Sequence, residues 1–366
     1  MWCTVTGRLS SPRHRVRAFL VAFLTLWFGL NGAGYYGQAW AAAGDPFLGP
    51  SNNTWTRVEV PGARCGDGSP YAVFLRQGQA ERLVIELSGG GACWDKRSCY
   101  GPIPLTRMSL SAPGEESGLA SPDPNASPFA DATYVWLPYC TGDVHAGTHI
   151  ANYEGAQVIH DGSTNVRSSA QVLESSLGLM SAAREVYLVG RSAGAIGVLL
   201  HLAWFDAMLS NEVRRVALVD SPGLHFGTSF WNKFSDAYFG DVRDHMAEIG
   251  LSVTRGEGLI APQLPGLCQR YDQWKIGFLQ STRDRVMSLV FGSISQARHE
   301  RAVLGDTGLA QLVRQQSGEC YAWIHDSAGH TFTGSTDSIE RGTRGVTAAA
   351  FARSIVSEGP GLSILP

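Results

Sequence analysis

A five-residue segment, Gly190-Arg191-Ser192-Ala193-Gly194, constrains the fold of this chain more than any other feature. It lies between an apolar run at residues 186–189 and a long helical stretch at residues 195–211. Glycines on both sides of the serine permit a sharp turn in which two backbones pass close together. A Gly-x-Ser-x-Gly segment between a strand and a helix is typical of a nucleophilic serine held at the tip of a turn. The sequence therefore predicts that Ser192 is a catalytic nucleophile.

The rest of the chain alternates short apolar strands with helices. The patterns predict strands at residues 56–60, 71–75, 82–87, 133–137, 186–189, 215–219, 276–280 and 321–324, and helices at residues 166–180, 195–211 and 344–358. Such alternation predicts an α/β fold of the α/β-hydrolase type, with a doubly wound, mostly parallel sheet and helices on both faces. No linker separates two domains, so we expect residues 44–366 to form a single catalytic domain.

A serine nucleophile needs a base, and the base needs an acid that orients it. In this fold the acid and then the histidine follow the serine along the chain. His330 lies in a loop just after the last expected strand and suits the base best, whereas His325, which ends that strand, is the alternative. Asp284 follows a late strand and is favoured as the acid. Asp220, which directly follows the preceding strand, is the second candidate.

A glycine-rich segment ahead of the serine, Ser88-Gly89-Gly90-Gly91-Ala92-Cys93, directly follows a strand. Glycines in such a loop let the backbone approach a substrate and direct N–H groups at a developing oxyanion. We expect the N–H groups of Gly91, Ala92 and Ala193 to form the oxyanion hole. The segment lacks the spacing of a nucleotide-phosphate loop, and no cofactor is expected.

The segment from Asp143 to His149 contains a His-x-x-x-His pair, His145 and His149. A zinc pair at this spacing would need a helix and a third ligand, whereas this stretch is glycine-rich and resembles a loop. We therefore expect no metal here, and we interpret Asp143 and His145 as part of the substrate wall.

The N-terminal segment has the organisation of an export signal. Four arginines and no acidic residue lie in residues 1–43, an apolar run covers residues 18–30, and small residues follow at 39–43. This pattern predicts a signal peptide at residues 1–43, with an uncleaved N-terminal anchor as the alternative. The remaining 25 basic and 32 acidic residues give a net charge of −7, so nucleic-acid binding is not expected. We also expect no membrane association after cleavage.

Six cysteines remain outside the signal, and in an exported chain this number favours three disulfide bonds. Cys93 and Cys99 are close in sequence, so a bridge between them is easily formed. A bond between Cys268 and Cys320 would hold the acid and base segments together, and it would leave Cys65 to pair with Cys140.

Taken together, these segments resemble the family of pectin acetylesterases and Notum carboxylesterases. The resemblance rests on Leu87-Ser88-Gly89-Gly90-Gly91-Ala92-Cys93-Trp94, on Pro138-Tyr139-Cys140-Thr141-Gly142-Asp143-Val144-His145, on Gly190-Arg191-Ser192-Ala193-Gly194, and on Asp220-Ser221, with Asp284 and His330 following. It implies an α/β-hydrolase fold, secretion, disulfide bonds and hydrolysis of carboxylic esters by a serine, histidine and aspartate triad.

The sequence therefore predicts a secreted serine carboxylesterase that removes a short, acetyl-like acyl group. An acylated polysaccharide is one candidate for the ester, and the oligomeric state is left open. Two alternatives remain at this point. A large apolar acyl pocket would favour a lipase or polyester depolymerase, and a missing triad would favour an inactive carbohydrate- or lipid-binding protein.

Overall fold

The protein is described by a computed structural model that covers residues 54–114, 118–315 and 318–366. The signal peptide expected at residues 1–43 lies outside these described residues.

Eight strands form the main sheet, and two short hairpins complete the strands of the described chain. The strands are β1 (Trp55–Arg64), β2 (Pro70–Arg76), β3 (Gln79–Leu87), β4 (Ala132–Leu137), β5 (His149–Tyr153), β6 (Ala156–His160), β7 (Glu185–Arg191), β8 (Arg214–Asp220), β9 (Trp274–Ser281), β10 (Cys320–His325), β11 (Gly342–Thr343) and β12 (Val346–Thr347). The order in the main sheet is β1-β2-β4-β3-β7-β8-β9-β10. β1 and β2 pair antiparallel with each other and β2 with β4, whereas every pairing from β4 to β10 is parallel.

Helices connect the parallel strands. They are α1 (Lys96–Tyr100), α2 (Gly162–Leu177), α3 (Leu179–Ala182), α4 (Ala193–Leu200), α5 (Leu202–Met208), α6 (Asp236–Glu248), α7 (Leu264–Arg270), α8 (Gln296–Leu304), α9 (Ala310–Gln315), α10 (Thr336–Ile339) and α11 (Ala348–Val356). The mostly parallel sheet with connecting helices confirms the α/β-hydrolase-like fold class.

The sheet is covered on two faces because successive residues of a strand point to opposite sides. On one face, Phe351 and Ile355 of α11 pack in the same buried cluster as Val84 of β3. Leu87 lies three positions further along β3 and therefore points to the other face, where it approaches Gly197 of α4. The carboxyl ends of the parallel strands meet at one edge, which is where such folds build their sites.

Two local differences separate the structure from the sequence-based expectations. The single helix expected at residues 195–211 is divided into α4 and α5 at His201, a buried residue whose Nε2 donates to the carbonyl oxygen of His145 at 2.8 Å. His149, the last residue of the expected loop, begins β5, and the β5–β6 hairpin that follows has no counterpart among the expected strands.

Three disulfide bonds cross-link the domain. They join Cys65 to Cys140, Cys93 to Cys99 and Cys268 to Cys320. These are the pairs that the sequence argument favoured. The second bond closes a loop of only six positions next to the glycine-rich segment, and the third links α7 to the start of β10.

Candidate active site

Ser192 occupies the turn between β7 and α4, with φ of 54° and ψ of −120°. A positive φ is uncommon for a residue with a side chain and is retained where the surrounding structure enforces it. Here the close approach of Gly190 and Gly194 enforces it, since a Cβ at Gly190 would collide with the carbonyl oxygen of Gly194. The Ser192 N–H also donates to the carbonyl oxygen of Asp220 at 2.8 Å. The turn therefore fixes the serine at the carboxyl edge of the sheet.

Asp284 and His330 form a hydrogen-bonded pair near the same edge. His330 Nδ1 lies 2.8 Å from Asp284 Oδ2. Asp284 is fully buried, and its other oxygen, Oδ1, accepts the N–H groups of Val286 and Met287, both at 2.9 Å. Gln280 Nε2 donates to Oδ2 at 3.2 Å. The carboxylate is therefore held in one orientation, from which it orients the imidazole.

The outer nitrogen of His330 has no partner. Nε2 is buried, and within the described residues nothing hydrogen-bonds to it, Ser192 Oγ included. Hydrogen bonds between a nucleophile and its base are often long in structures without substrate and tighten when the complex forms. An unpaired buried nitrogen is costly unless a ligand or reacting group satisfies it. This atom is thus available to a ligand or a reacting group.

Asp220 holds the histidine loop without contacting the imidazole. Its Oδ2 accepts the N–H groups of Phe332 at 2.7 Å and Thr333 at 2.8 Å, together with the Thr333 hydroxyl at 2.7 Å. Its Oδ1 accepts the Ser221 hydroxyl at 2.9 Å. The structure therefore pairs Asp284 with His330, and it places Asp220 as a support of both the serine turn and the histidine loop.

His325, the alternative base, lies at the end of β10 and stacks on Trp323 at 5.3 Å between ring centroids. Burial lowers the pKa of His325. Its Nδ1 is buried without a partner, and no described carboxylate hydrogen-bonds to the ring. The structure brings His330, and not His325, to the acidic partner.

The glycine-rich loop lies directly against the serine. A Cβ at Gly89 would lie 3.2 Å from Cβ of Ser192. Gly91 has φ of 84°, and a Cβ there would collide with the carbonyl oxygen of Leu105, so this position requires glycine. Gly91, Ala92 and Ala193 line one pocket together with Ser192. Within the described chain, the N–H groups of these three residues donate no hydrogen bond, which leaves them available to a ligand oxygen.

Asp143 and His145 lie behind this loop and not on a pocket wall. Both are almost fully buried. Asp143 accepts the Thr141 hydroxyl at 2.7 Å and the Gly162 N–H at 2.7 Å, whereas His145 Nε2 bonds to the carbonyl oxygen of Ser88 at 2.9 Å. Between them, Val144 reaches the pocket. The polar substrate wall expected here is thus corrected to an apolar one, and the buried pair supports the glycine-rich loop from behind.

Among the described residues, no group of three or more histidine, cysteine, aspartate or glutamate side chains is placed to hold a metal ion. His149, the second histidine of the His-x-x-x-His pair, bonds instead to Asp241 of α6, with 2.6 Å between Nδ1 and Oδ2.

An apolar pocket opens beside Ser192, with a narrow cavity of about 50 Å³. Beyond the serine and the three N–H groups, its lining is almost entirely hydrophobic: Val144, Ile196, Leu224, Phe226, Phe230, Trp231, Phe234, Tyr238, Val242, Met246, Ile260, Met287 and Phe291. Most of these residues come from the segment between β8 and α7. The patterns of the sequence predict no strand in that segment, although its density of aromatic residues could have indicated a pocket.

A second, polar groove lies on the histidine side of the site. His330 borders it together with Ser88, Trp136, Arg191 and Arg341. The Arg191 guanidinium donates to the buried carboxylate of Glu86 at 2.6 Å and lies over the Trp136 ring. Arg341 is exposed, and no described carboxylate pairs with it. The two sides of the site therefore differ sharply in polarity.

Comparisons with known proteins agree with this geometry. The family model described as Pectinacetylesterase matches residues 52–248, more than half of the chain. This range includes the glycine-rich loop and the serine, whereas Asp284 and His330 lie beyond it.

No helix of the described chain is long and apolar enough to span a membrane.

Several curated proteins are similar over part of their length. A palmitoleoyl-protein carboxylesterase NOTUM from Drosophila melanogaster is 30% identical over 40% of this chain and 24% of its own length. The human NOTUM carboxylesterase is 29% identical over 38% of this chain and 29% of its own, and the one from Schmidtea mediterranea is 25% identical over 58% and 42%. The chain thus matches less than half the length of each of these relatives.

Proposed function

Because the chain belongs to the pectinacetylesterase family, we propose that it hydrolyses carboxylic esters by acyl transfer through Ser192. One observation carries the proposal. The Asp284–His330 pair presents a free imidazole nitrogen near a serine in a strained turn, beside three unused N–H groups. A binding protein has no need to combine a polarised histidine, a strained serine and free N–H donors at one edge. The alternative of an inactive carbohydrate- or lipid-binding protein is therefore disfavoured.

The proposed reaction has two steps. His330 Nε2 takes the proton of the Ser192 hydroxyl as the serine oxygen attacks the ester carbonyl, and Asp284 stabilises the imidazolium that forms. The N–H groups of Gly91, Ala92 and Ala193 hold the oxyanion, and a single such donor is typically worth about 10²–10³ in kcat. His330 then returns the proton to the leaving alcohol. Water, activated by the same imidazole, attacks the acyl-serine and releases the acid.

The apolar pocket supports an acyl group larger than the acetyl group that the sequence suggested. Transfer of each methylene from water to an apolar site contributes about 0.8 kcal/mol. The cavity is narrow, and its lining is hydrophobic over more length than an acetyl group can contact, whereas a longer chain that enters it would contact the aromatic residues between Phe226 and Tyr238. The similarity to palmitoleoyl-protein carboxylesterases agrees with this choice.

The polar groove supports a hydrophilic alcohol as the leaving group. It borders His330, which must deliver the proton to the departing oxygen, and it offers serine hydroxyls, an indole ring and two guanidinium groups. A sugar hydroxyl, as in an acylated polysaccharide, or a hydroxyl side chain fits these partners.

The three disulfide bonds are consistent with export, because disulfide bonds persist in oxidising compartments. We therefore retain the proposal that the chain acts outside the cytosol after removal of residues 1–43.

Hydrolysis of a series of p-nitrophenyl esters tests the proposal. Four added methylenes, from acetate to hexanoate, should raise kcat/KM, with full burial setting an upper limit of about 200-fold, because four times 0.8 kcal/mol corresponds to this factor. Ser192→Ala should abolish turnover of every ester, whereas Ser210→Ala, an exposed serine remote from the site, should not change it.

Two results would overturn the proposal. Turnover by Ser192→Ala close to that of the unchanged chain would show that the serine is not the nucleophile. A kcat/KM that is highest for acetate and falls with chain length would refute the assignment of the apolar pocket to the acyl group.

A further inference from the structure

Three exposed apolar side chains lie on two segments that approach the apolar pocket. Ile103 is 84% exposed, Leu289 53% and Val290 43%; the other exposed large hydrophobic side chains of the described residues are Tyr100, Ile150, Leu259 and Leu362. Isolated exposed residues are normal on a protein surface, whereas a cluster beside a binding pocket marks an interaction site.

The two segments that carry these side chains converge on the oxyanion loop. A Cβ at Gly91 would collide with the carbonyl oxygen of Leu105 and lie 3.4 Å from Cζ of Phe291. Leu105 is two positions after Ile103, and Phe291 directly follows the exposed pair Leu289 and Val290. Phe291 itself lines the acyl pocket. The two segments that carry the exposed side chains therefore meet beside the pocket, where Trp94 also packs on Phe291 with ring centroids 6.2 Å apart.

The same two segments of the chain carry cations without acidic partners. Lys96, Arg97 and Arg285 are exposed, and no described carboxylate forms an ion pair with any of them. The nearby carboxylate of Asp95 caps α1, where it accepts the Ser98 N–H at 2.7 Å. The chain as a whole has a net charge of −3, so this local excess of positive charge opposes the overall balance.

A hydrogen bond and a disulfide hold the loop at residues 102–105 in place, and this fixes the position of the exposed Ile103 side chain. The Leu105 N–H donates to the carbonyl oxygen of Ser98 at 2.8 Å, and the Cys93–Cys99 bond ties α1 to the oxyanion loop. The exposure of Ile103 is thus a property of an anchored loop.

We propose that this mouth surface, formed by Ile103, Leu289, Val290, Lys96, Arg97 and Arg285, docks the protein on a lipid surface that contains anionic lipids. Apolar side chains enter the boundary between head groups and acyl chains, and the cations contact the anionic head groups. In this orientation the acyl pocket opens toward the lipid. The role of the pocket as an acyl site rests on the proposed function, whereas the docking on lipid does not depend on it. The inference departs from the sequence-based expectation of no membrane association.

Cosedimentation with vesicles tests the docking. The full chain should bind phosphatidylcholine vesicles that contain phosphatidylserine more tightly than vesicles of phosphatidylcholine alone, and added salt should weaken the difference. Ile103→Ser combined with Leu289→Ser should weaken binding by about tenfold or more, because two apolar side chains no longer enter the lipid. Ile150→Ser is the matched control, since Ile150 is 55% exposed on β5 and outside the mouth surface.

Hydrogen exchange of the same chain locates the contact. Vesicles should protect peptides covering residues 96–105 and 286–291, and they should leave the β5–β6 hairpin unchanged. Ser192→Ala should bind as the unchanged chain does, so failure of the esterase proposal and failure of the docking proposal are distinguishable.

Equal vesicle binding by the double variant and by Ile150→Ser would overturn the docking proposal. Absence of binding to both kinds of vesicle would also overturn it and would leave the mouth surface to a protein partner.

Discussion

Exchange of the two buried aspartates for asparagine separates the acid of the triad from the residue that supports the loop. In Asp284→Asn, the amide oxygen can still accept the N–H groups of Val286 and Met287, so the amide nitrogen takes the place of Oδ2. That nitrogen donates, and it would face His330 Nδ1. The imidazole must then accept at Nδ1 and carry its proton on Nε2, where it can no longer act as a base.

The expected loss is large and confined to kcat. The wrong tautomer lowers kcat by about 10⁴-fold in other serine triads, which corresponds to about 5 kcal/mol of activation free energy. The free energy of unfolding should fall only modestly, since the two bonds to Oδ1 are retained and the bond from Gln280 Nε2, the longest of the set at 3.2 Å, is lost.

Asp220→Asn should behave in the opposite way. Its amide oxygen can accept the same donors from Phe332 and Thr333, and its amide nitrogen can donate to the Ser221 hydroxyl, which also accepts. We expect kcat to stay within about tenfold of the unchanged chain, with a modest loss of stability from the weaker, uncharged bonds.

Steady-state kinetics with p-nitrophenyl hexanoate and urea unfolding of both variants measure these effects. A loss of kcat in Asp220→Asn equal to that in Asp284→Asn would refute the separation of roles. So would near-normal activity of Asp284→Asn.

Three further predictions concern the pocket, the oxyanion loop and a partly buried cation. Val242→Phe places a larger side chain in the acyl pocket and reduces the space for a long acyl chain, so kcat/KM should fall for hexanoate and stay constant for acetate in the ester series. Replacement of Cys93 and Cys99 by serine frees the loop that carries two of the oxyanion donors, and kcat should fall by about 10²-fold with a smaller change in KM; an unchanged kcat would contradict the role of the bond. Burial lowers the pKa of Lys233 to about 8. Between this value and 10.5 the unfolded chain binds the proton that the folded chain has lost, so folded stability should rise with pH across this window. Lys233→Met should lack this rise when thermal unfolding is measured on either side of the window.

Local patterns in the sequence were sufficient to predict the sheet and the serine turn. A glycine on each side of Ser192 and strands at regular intervals specify a turn and a parallel sheet without long-range information. The pairing of Cys93 with Cys99 is likewise local.

Features that depend on distant segments could not be obtained in this way. Asp220 and Asp284 both follow strands, and only the path of the histidine loop decides which carboxylate meets the imidazole and which holds the backbone at Thr333. From the sequence, Asp143 resembles a residue that contacts substrate. In the folded chain its carboxylate accepts hydrogen bonds from Thr141 and Gly162 instead.

The acyl pocket is another such feature. Its walls come from the serine helix α4, from the segment between β8 and α7, and from the turn at Val286–Val290 that follows β9. None of these segments has a strand-like or helical pattern that distinguishes a pocket wall from ordinary core, and only the density of aromatic residues after β8 could have indicated a pocket in advance.

Covalent labelling with a fluorophosphonate tests the central claim most directly, because the reagent reacts with a serine only when a base and an oxyanion hole activate it. We predict one adduct per chain, mapped by peptide mass spectrometry to Ser192, and no adduct in Ser192→Ala. His330→Ala should react at least about 10²-fold more slowly, since the proton acceptor is absent. An unlabelled chain, an adduct on a different serine, or undiminished labelling of His330→Ala would contradict the account.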